Sequence, residues 1–204
     1  MVFGGSPFDL KPVCELSDAV MLAWYPGEQG GRAVARAVLG RVNPAGRLPI
    51  TYPQSYDDLP DFKDYSLAGR TYRYATKNPA YPFGHGLSYT TFAYSDLQVG
   101  AFDASGAANV SVTVTNTGKV AGDEVVQLYV RAPKDAGDRR VHHLEGFSRV
   151  TLAAGETKRV TFAVRREQLQ VFGEDGKPFL PKGGTTVFVG GGQPGFAQTV
   201  SGVF

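Results

Sequence analysis

Residues 81–92 divide the chain into two parts that obey different periodicities, and this division constrains the fold more than any other feature. The stretch reads YPFGHGLSYTTF, with five aromatic rings (counting His85), two glycines and a proline in twelve residues. So many rings need partners to leave water, which predicts a linker held against structure on both sides. The glycines permit backbone angles that a residue with a Cβ resists. Before the stretch come short apolar runs broken by Pro and Gly. After it come strand-like alternations separated by Gly, Asn and Asp turns.

The first part begins with residues 2–10, expected to be a strand end running into a Gly-Gly-Ser-Pro loop, as if the start of that strand lay upstream. Residues 18–24 form a continuous apolar run, too short for a typical helix, and predict a strand buried on both faces of a parallel sheet. Over residues 28–39 the pattern turns helical. Ala33, Val34, Ala37 and Val38 share one side and Arg32 and Arg36 the other, with Glu28 at the N-terminal end and Gly40 closing the C-terminus. Residues 43–46 make a turn into a short strand over 47–52. Residues 53–77 are irregular, and an ordered loop of that length is often functional.

In the second part Val110, Val112 and Val114 alternate with polar residues up to a turn at residues 116–118. The same pattern recurs over 125–130, 160–164 and 185–189. Regularly spaced short strands predict an antiparallel sandwich. Its Phe and Tyr residues are expected mostly at inward positions, leaving no exposed aromatic platform.

Composition excludes several classes. Of 204 residues, 42% are hydrophobic and 20% charged, ordinary values for a globular protein. Lys and Arg number 21 against 19 acids, too balanced and too scattered for a nucleic-acid partner. No run approaches the ~18 apolar residues of a membrane-spanning helix, so no membrane partner is expected. The single cysteine, Cys14, excludes an internal disulfide framework.

Eight blocks in register carry a family resemblance: YPGEQGG at 25–31, VLG at 38–40, NPAGRLP at 43–49, GRTYRY at 69–74, YPFGHGLSY at 81–89, NTG at 116–118, GDEVVQLY at 122–129 and LEGF at 144–147. Together they resemble glycoside hydrolase family 3, which includes retaining β-glucosidases and β-xylosidases. The resemblance implies a two-part α+β chain. Residues 1–75 correspond to the last portion of an α/β, flavodoxin-like sandwich domain and residues 76–92 to an aromatic linker. Residues 93–204 correspond to a seven-stranded fibronectin type III-like (immunoglobulin-like) sandwich. Relatives place the nucleophilic Asp in an upstream barrel and commonly the acid/base Glu earlier in the α/β domain, so the resemblance implies a C-terminal fragment with no catalytic residue of its own. Arg140 stands where relatives often have Pro, which implies a less rigid start to the following strand. Relatives are often periplasmic or secreted.

Retaining hydrolysis needs paired carboxyl groups. The pairs here are Asp57 with Asp58, Asp61 with Asp64, Asp123 with Glu124, and Glu174 with Asp175. None fits a catalytic block, and all are expected to be solvated loop acids. Residues 27–31 could cradle an anion at a helix start but fit a structural turn better. Trp24 and Tyr25 could stack on a sugar or pack in a core. Arg70, Tyr72, Arg73 and Tyr74 are the candidates for a substrate rim. The competing reading is that Arg70 and Arg73 pair with the loop's own acids and fix the linker. Tyr81, Phe83, His85, Tyr89 and Phe92 are the expected interdomain linker contacts. His142, His143 and Glu145 are the residues of metal-ligating type that lie close in sequence, but on a strand the two histidines point to opposite faces, so no metal and no cofactor is expected. The implied partners are a β-linked oligosaccharide or aryl glycoside and an upstream catalytic barrel domain or polypeptide. The alternative is a stand-alone carbohydrate- or protein-binding sandwich module.

Overall fold

A computed structural model describes residues 1–5 and 9–204; the part of the expected loop at Ser6 and Pro7 lies outside these. The chain opens with two helices, α1 (Lys11–Glu15) and α2 (Gly30–Val38), and a single helical turn, α3 (Thr71–Tyr74). No helix among the described residues is long and apolar enough to cross a membrane.

Residues 18–24 do not form the fully buried strand that their apolar run predicts. They make one parallel bridge, Val2 to Leu22, with backbone bonds Val2 N–H to Met21 O and Ala23 N–H to Val2 O, both 2.9 Å. Paired among the described residues only with the 2–4 segment, residues 20–24 stay half-buried, and Tyr25 is exposed. Helix α2 forms where its periodicity predicts, and Gly40, at φ 67°, ends it. Of its apolar side only Ala37 is buried, while Val38 and the following Leu39 face solvent. The strand expected over 47–52 shrinks to a bridge between Tyr52 and Tyr81, because Pro49 and Pro53 remove backbone donors from it.

Beyond residue 92 the period-two pattern governs. The strands are β1 (Phe92–Val99), β2 (Ala107–Asn116), β3 (Gly122–Arg131), β4 (His143–Leu152), β5 (Thr157–Arg165), β6 (Val171–Phe172), β7 (Pro178–Phe179), β8 (Thr186–Gly190) and β9 (Thr199–Val203). One sheet runs β1-β2-β5 and the other β4-β3-β8-β9, so seven strands make the sandwich among the described residues; β6 and β7 form a separate hairpin. All pairings between these strands are antiparallel. Val110, Val112 and Val114 of β2 meet Val126, Leu128 and Val130 of β3 in a core completed by β5 and β8. The turn after β2 is pinned by the buried Asn116 amide. It accepts from Thr90 Oγ1 (2.7 Å) and Gly118 N–H, and donates to Val120 O and Leu152 O. Every bonding direction of that buried group is used, as burial demands.

Two expectations need correction. The aromatics after residue 92 are not mostly inward: Tyr94, Tyr129 and Phe162 are buried, but Phe147, Phe172, Phe179 and Phe196 are exposed. Nor does Arg140 loosen the start of β4. Its guanidinium pairs with Asp138 at 2.9 Å and reaches Gln170 O at 3.0 Å, holding by side-chain bonds what a proline holds by its ring.

Leu128 is fully buried, whereas Phe147 is 71% exposed one strand away. Leu128→Ala is expected to cost about 2–5 kcal/mol and Phe147→Ala no more than about 0.5, read from urea midpoints. Equal losses would place the core elsewhere.

Candidate functional site

The outer face of β3 is covered over its middle, while Asp123, Val125 and Arg131 on the same face are only partly buried. Gln127 and Tyr129 project from it and are buried under residues 72–84. Tyr129 Oη donates to Gln127 Oε1 (2.6 Å), and Gln127 Nε2 donates to Gly84 O (3.2 Å) and Gly191 O (3.1 Å). Gly84 sits at φ 78°, and a Cβ there would collide with the Gln127 side chain; one on Gly86 would strike Gly46 O. These two positions require glycine because backbone meets backbone and buried amide at close range.

Beside this contact lies an ion pair between the two parts of the chain. Arg47 Nη2 meets Glu124 Oε1 at 2.9 Å, with side-chain exposures of 8% and 4%, and Arg47 Nε reaches Gly191 O at 3.4 Å. Glu124 also accepts the Val125 N–H at 2.9 Å. Burial pushes the Glu124 carboxyl up, and the Arg47 guanidinium opposes the shift. Glu124 is therefore a buried strand residue, not the solvated loop acid that its sequence neighbourhood predicts. Asp123 lies on the same strand and pairs with Arg149.

The linker residues fall on both sides of this junction. Tyr81 meets Tyr52 edge to face with centroids 6.4 Å apart, and its hydroxyl lies 3.1 Å from Cys14 Sγ. Phe83 stacks on Tyr72 at 4.1 Å. The His85 carbonyl accepts from Leu48 N–H, and its ring, 5.4 Å from Tyr81, is lowered in pKa by burial and by Arg47. Tyr89 Oη donates to Ala37 O at the end of α2, and Phe92 packs on the sandwich core.

The rim candidates have separate fates. Arg70 donates to three carbonyls of its own loop, Pro60, Asp61 and Asp64, rather than to the loop's carboxylates. Tyr72 is an anchor: its hydroxyl accepts the Leu144 N–H of β4 (3.1 Å), while Arg73 O accepts the Val141 N–H (2.6 Å). The Arg73 side chain is exposed, lies over the Tyr72 ring and donates weakly to its hydroxyl at 3.5 Å. All four rim candidates line one cleft of about 600 Å3, floored by residues 49–54 and 67–83.

The two histidines diverge. His142 is buried against Tyr72 and Tyr129, with ring centroids 5.9 and 5.5 Å away, and neither ring nitrogen has a hydrogen-bond partner. His143 Nε2 lies 3.0 Å from Glu145 Oε1, which sits at a bulge opposite Leu128–Tyr129. Burial raises the Glu145 carboxyl, but bonds from His143 and Gln168 outweigh it and hold it below its ordinary range.

Two predictions come from this geometry. Removing one partner of the buried ion pair leaves the other unpaired, so Glu124→Ala is expected to cost about 3–5 kcal/mol. Arg47→Met combined with Glu124→Leu should recover most of that loss in a double-mutant cycle; no recovery would show that the charges are not coupled. Burial lowers His142 from 6.5 to about 4, with Arg131 and His143 adding to the shift. The unfolded chain binds more protons between those two values, so stability is full above about pH 6.5 and falls as the pH drops toward 4. Unfolding at pH 7.5 and 4.5 is expected to show a loss of about 2–3 kcal/mol that His142→Phe removes, with the Glu145 share remaining. An unchanged pH dependence in that variant would refute the assignment.

Comparison with known proteins matches this geometry. Residues 1–89 match the profile described as the glycosyl hydrolase family 3 C-terminal domain, and residues 124–193 match the fibronectin type III-like domain. A xylan 1,4-beta-xylosidase of Xylanibacter ruminicola is 43% identical over 81% of this chain and 19% of its own length. A periplasmic beta-glucosidase of Salmonella typhimurium is 35% identical over 93% of this chain and 27% of its own. The crystal structure of a family 3 beta-glucosidase of Bifidobacterium adolescentis superposes with a TM-score of 0.87 at 32% identity, covering 99% of this chain and 32% of that one. The chain thus spans between a fifth and a third of the length of these relatives. It belongs to glycoside hydrolase family 3, of which it carries the C-terminal domain and the fibronectin type III-like domain.

Proposed function

We propose that this chain is the C-terminal scaffold and active-site rim of a retaining β-glycosidase acting on β-glucosides or β-xylosides, and that the catalytic carboxylates come from other domains. The observation that carries this reading is the state of the acids. Retaining hydrolysis needs two carboxyl groups about 5 Å apart, both facing one sugar. The cleft is lined by one carboxylate, Asp58, and Lys77 holds it at 2.8 Å. Elsewhere Asp61 and Asp64 cap their own loop, Asp123 and Glu124 are ion-paired, and Asp175 accepts from Lys177 N–H.

In this reading residues 1–75 are the last portion of a flavodoxin-like α/β domain, 76–92 the linker and 93–204 the sandwich. The parallel Val2–Leu22 bridge leading into α2 supports the first assignment, since a strand, turn and helix in that order is half of a βαβ unit. Arg70, Tyr72, Arg73 and Tyr74 form the rim, facing a β-linked oligosaccharide or aryl glycoside held by an upstream barrel. The relative named as periplasmic supports a periplasmic or secreted setting. A stand-alone binding module is the second reading, favoured by exposed Phe147 and Phe172. It calls for retention on insoluble β-glucan or xylan that is lost in Phe147→Ala or Phe172→Ala.

The test is hydrolysis of p-nitrophenyl β-glucoside and β-xyloside. The chain alone is expected to release no nitrophenol, while a family-type barrel and partial α/β domain mixed with it gain turnover. Release by the chain alone would overturn the reading, because a catalytic pair would then exist among its own acids.

A further inference from the structure

The cleft behind the rim has features that scaffolding does not require. Its size, about 600 Å3, is that of a small-molecule site. Much of its lining is apolar, with Ile50, Leu59, Leu67, Pro79, Phe83 and the ring of Tyr74. Strain is concentrated along one wall. Leu67 lies at φ 64°, Gly69 at φ 72° and Thr71 at φ 55°, so three left-handed residues fall within five. For leucine, and more so for β-branched threonine, this conformation is strained, and such strain gathers at ligand sites. The Arg70 clamp on the carbonyls of Pro60, Asp61 and Asp64 holds that wall in place before any ligand arrives. Thr51, also in the lining, has a buried hydroxyl without a hydrogen-bond partner.

The charge is unbalanced in one direction. Three cations line the cleft, Arg70, Arg73 and Lys77, against the single carboxylate Asp58, which Lys77 neutralises. Neither Arg70 nor Arg73 is in an ion pair among the described residues. The acids that act on them from outside are committed elsewhere: Asp64 accepts the Ser66 N–H, and Glu145 is bound by His143 and Gln168. The Arg73 fork lies over the Tyr72 ring at 5.9 Å, and among the described residues its terminal amino groups make no hydrogen bond.

We propose that this cleft binds a planar aromatic carboxylate, its ring on the apolar walls and its carboxylate on the Arg73 fork. Guanidinium and carboxylate match as a two-pronged, charge-assisted pair. The apolar part of the lining favours a ring over a hydrated inorganic anion, which has no apolar surface to bury there. The site coincides with the rim of the proposed glycosidase and deepens that reading by naming an acidic aryl group as what the rim accepts. Binding is nonetheless a property of the chain itself and needs no hydrolysis.

The experiment is an amide NMR titration of the whole 204-residue chain with 4-hydroxycinnamate, beside its methyl ester and sodium acetate. The acid is expected to saturate below about 10 mM with shifts at residues 50–54 and 67–79, and the ester to bind about tenfold more weakly. Arg73→Ala should lose about tenfold, and Arg73→Lys, which keeps the charge but not the fork, should lose severalfold. Equal binding of acid and ester, matching shifts from acetate, saturation elsewhere on the chain, or none at all would each overturn the proposal. The ester comparison uses unaltered protein, so it decides even if a variant misfolds. A failed titration with successful barrel complementation would discard the ligand and keep the glycosidase role; the reverse would do the opposite.

Discussion

The buried pair of Arg47 and Glu124 is the constraint on which the arrangement of the two halves depends. Removing two charges from water costs several kcal/mol each, and a contact at 2.9 Å returns that only when the remaining bonding directions are filled. Here further bonds support the pair from separate stretches: Glu124 Oε1 also accepts the Val125 N–H on β3, and the Arg47 guanidinium also donates to Gly191 O after β8 and to Gly46 O. A small slip of one half over the other would strand both charges. An apolar contact of equal area would tolerate that slip. The pair adds less to stability than a hydrophobic patch could, and in exchange it defines one docking position.

Tyr129 and Gln127 extend that definition across the outer face of β3. A strand covered on both faces over its middle cannot follow a simple inward-apolar, outward-polar rule there, and β3 does not. Its core face carries Val126, Leu128 and Val130, while its other face carries a phenol that donates to an amide and the amide, which donates in turn to Gly84 O. The linker glycines are the counterpart of that face, since Gly84 is small enough for the Gln127 amide to sit against backbone.

Much of the sandwich was legible in the sequence because its alternation is a local property. The valines of β2, β3, β5 and β8 fell where period two put them, and the turn at Asn116 marked its own position. What stayed hidden was what meets what. Arg47, Gly84 and Glu124 belong to three of the eight blocks that carry the family resemblance, at 43–49, 81–89 and 122–129, yet no periodicity links them. Their contacts span 43 to 77 residues of chain. The aspartate-rich loop misled in the same way. Its acids suggested ion pairs for Arg70, but short Asp side chains bond to nearby backbone N–H groups, and Arg70 donates to loop carbonyls instead. The apolar run at 18–24 was read from composition alone, and burial depends on neighbours that composition does not name.

These contacts also bear on how independent the sandwich is. Seen from its own sequence it is a complete domain with a core, and cleavage near residue 92 would seem to free it. But Tyr129 and Gln127 have no exposed surface to speak of, and both are covered from outside the sandwich. Freed of residues 1–90, the four-stranded sheet would present a wet phenol, an amide that has lost its Gly84 acceptor and a Glu124 without its guanidinium partner, on or near its central strand. Each of those groups was placed for a partner on the other half. The physical unit therefore runs from Arg47 to the end of the sandwich, and the line between the halves is a seam in the sequence that passes through the middle of a shared interior.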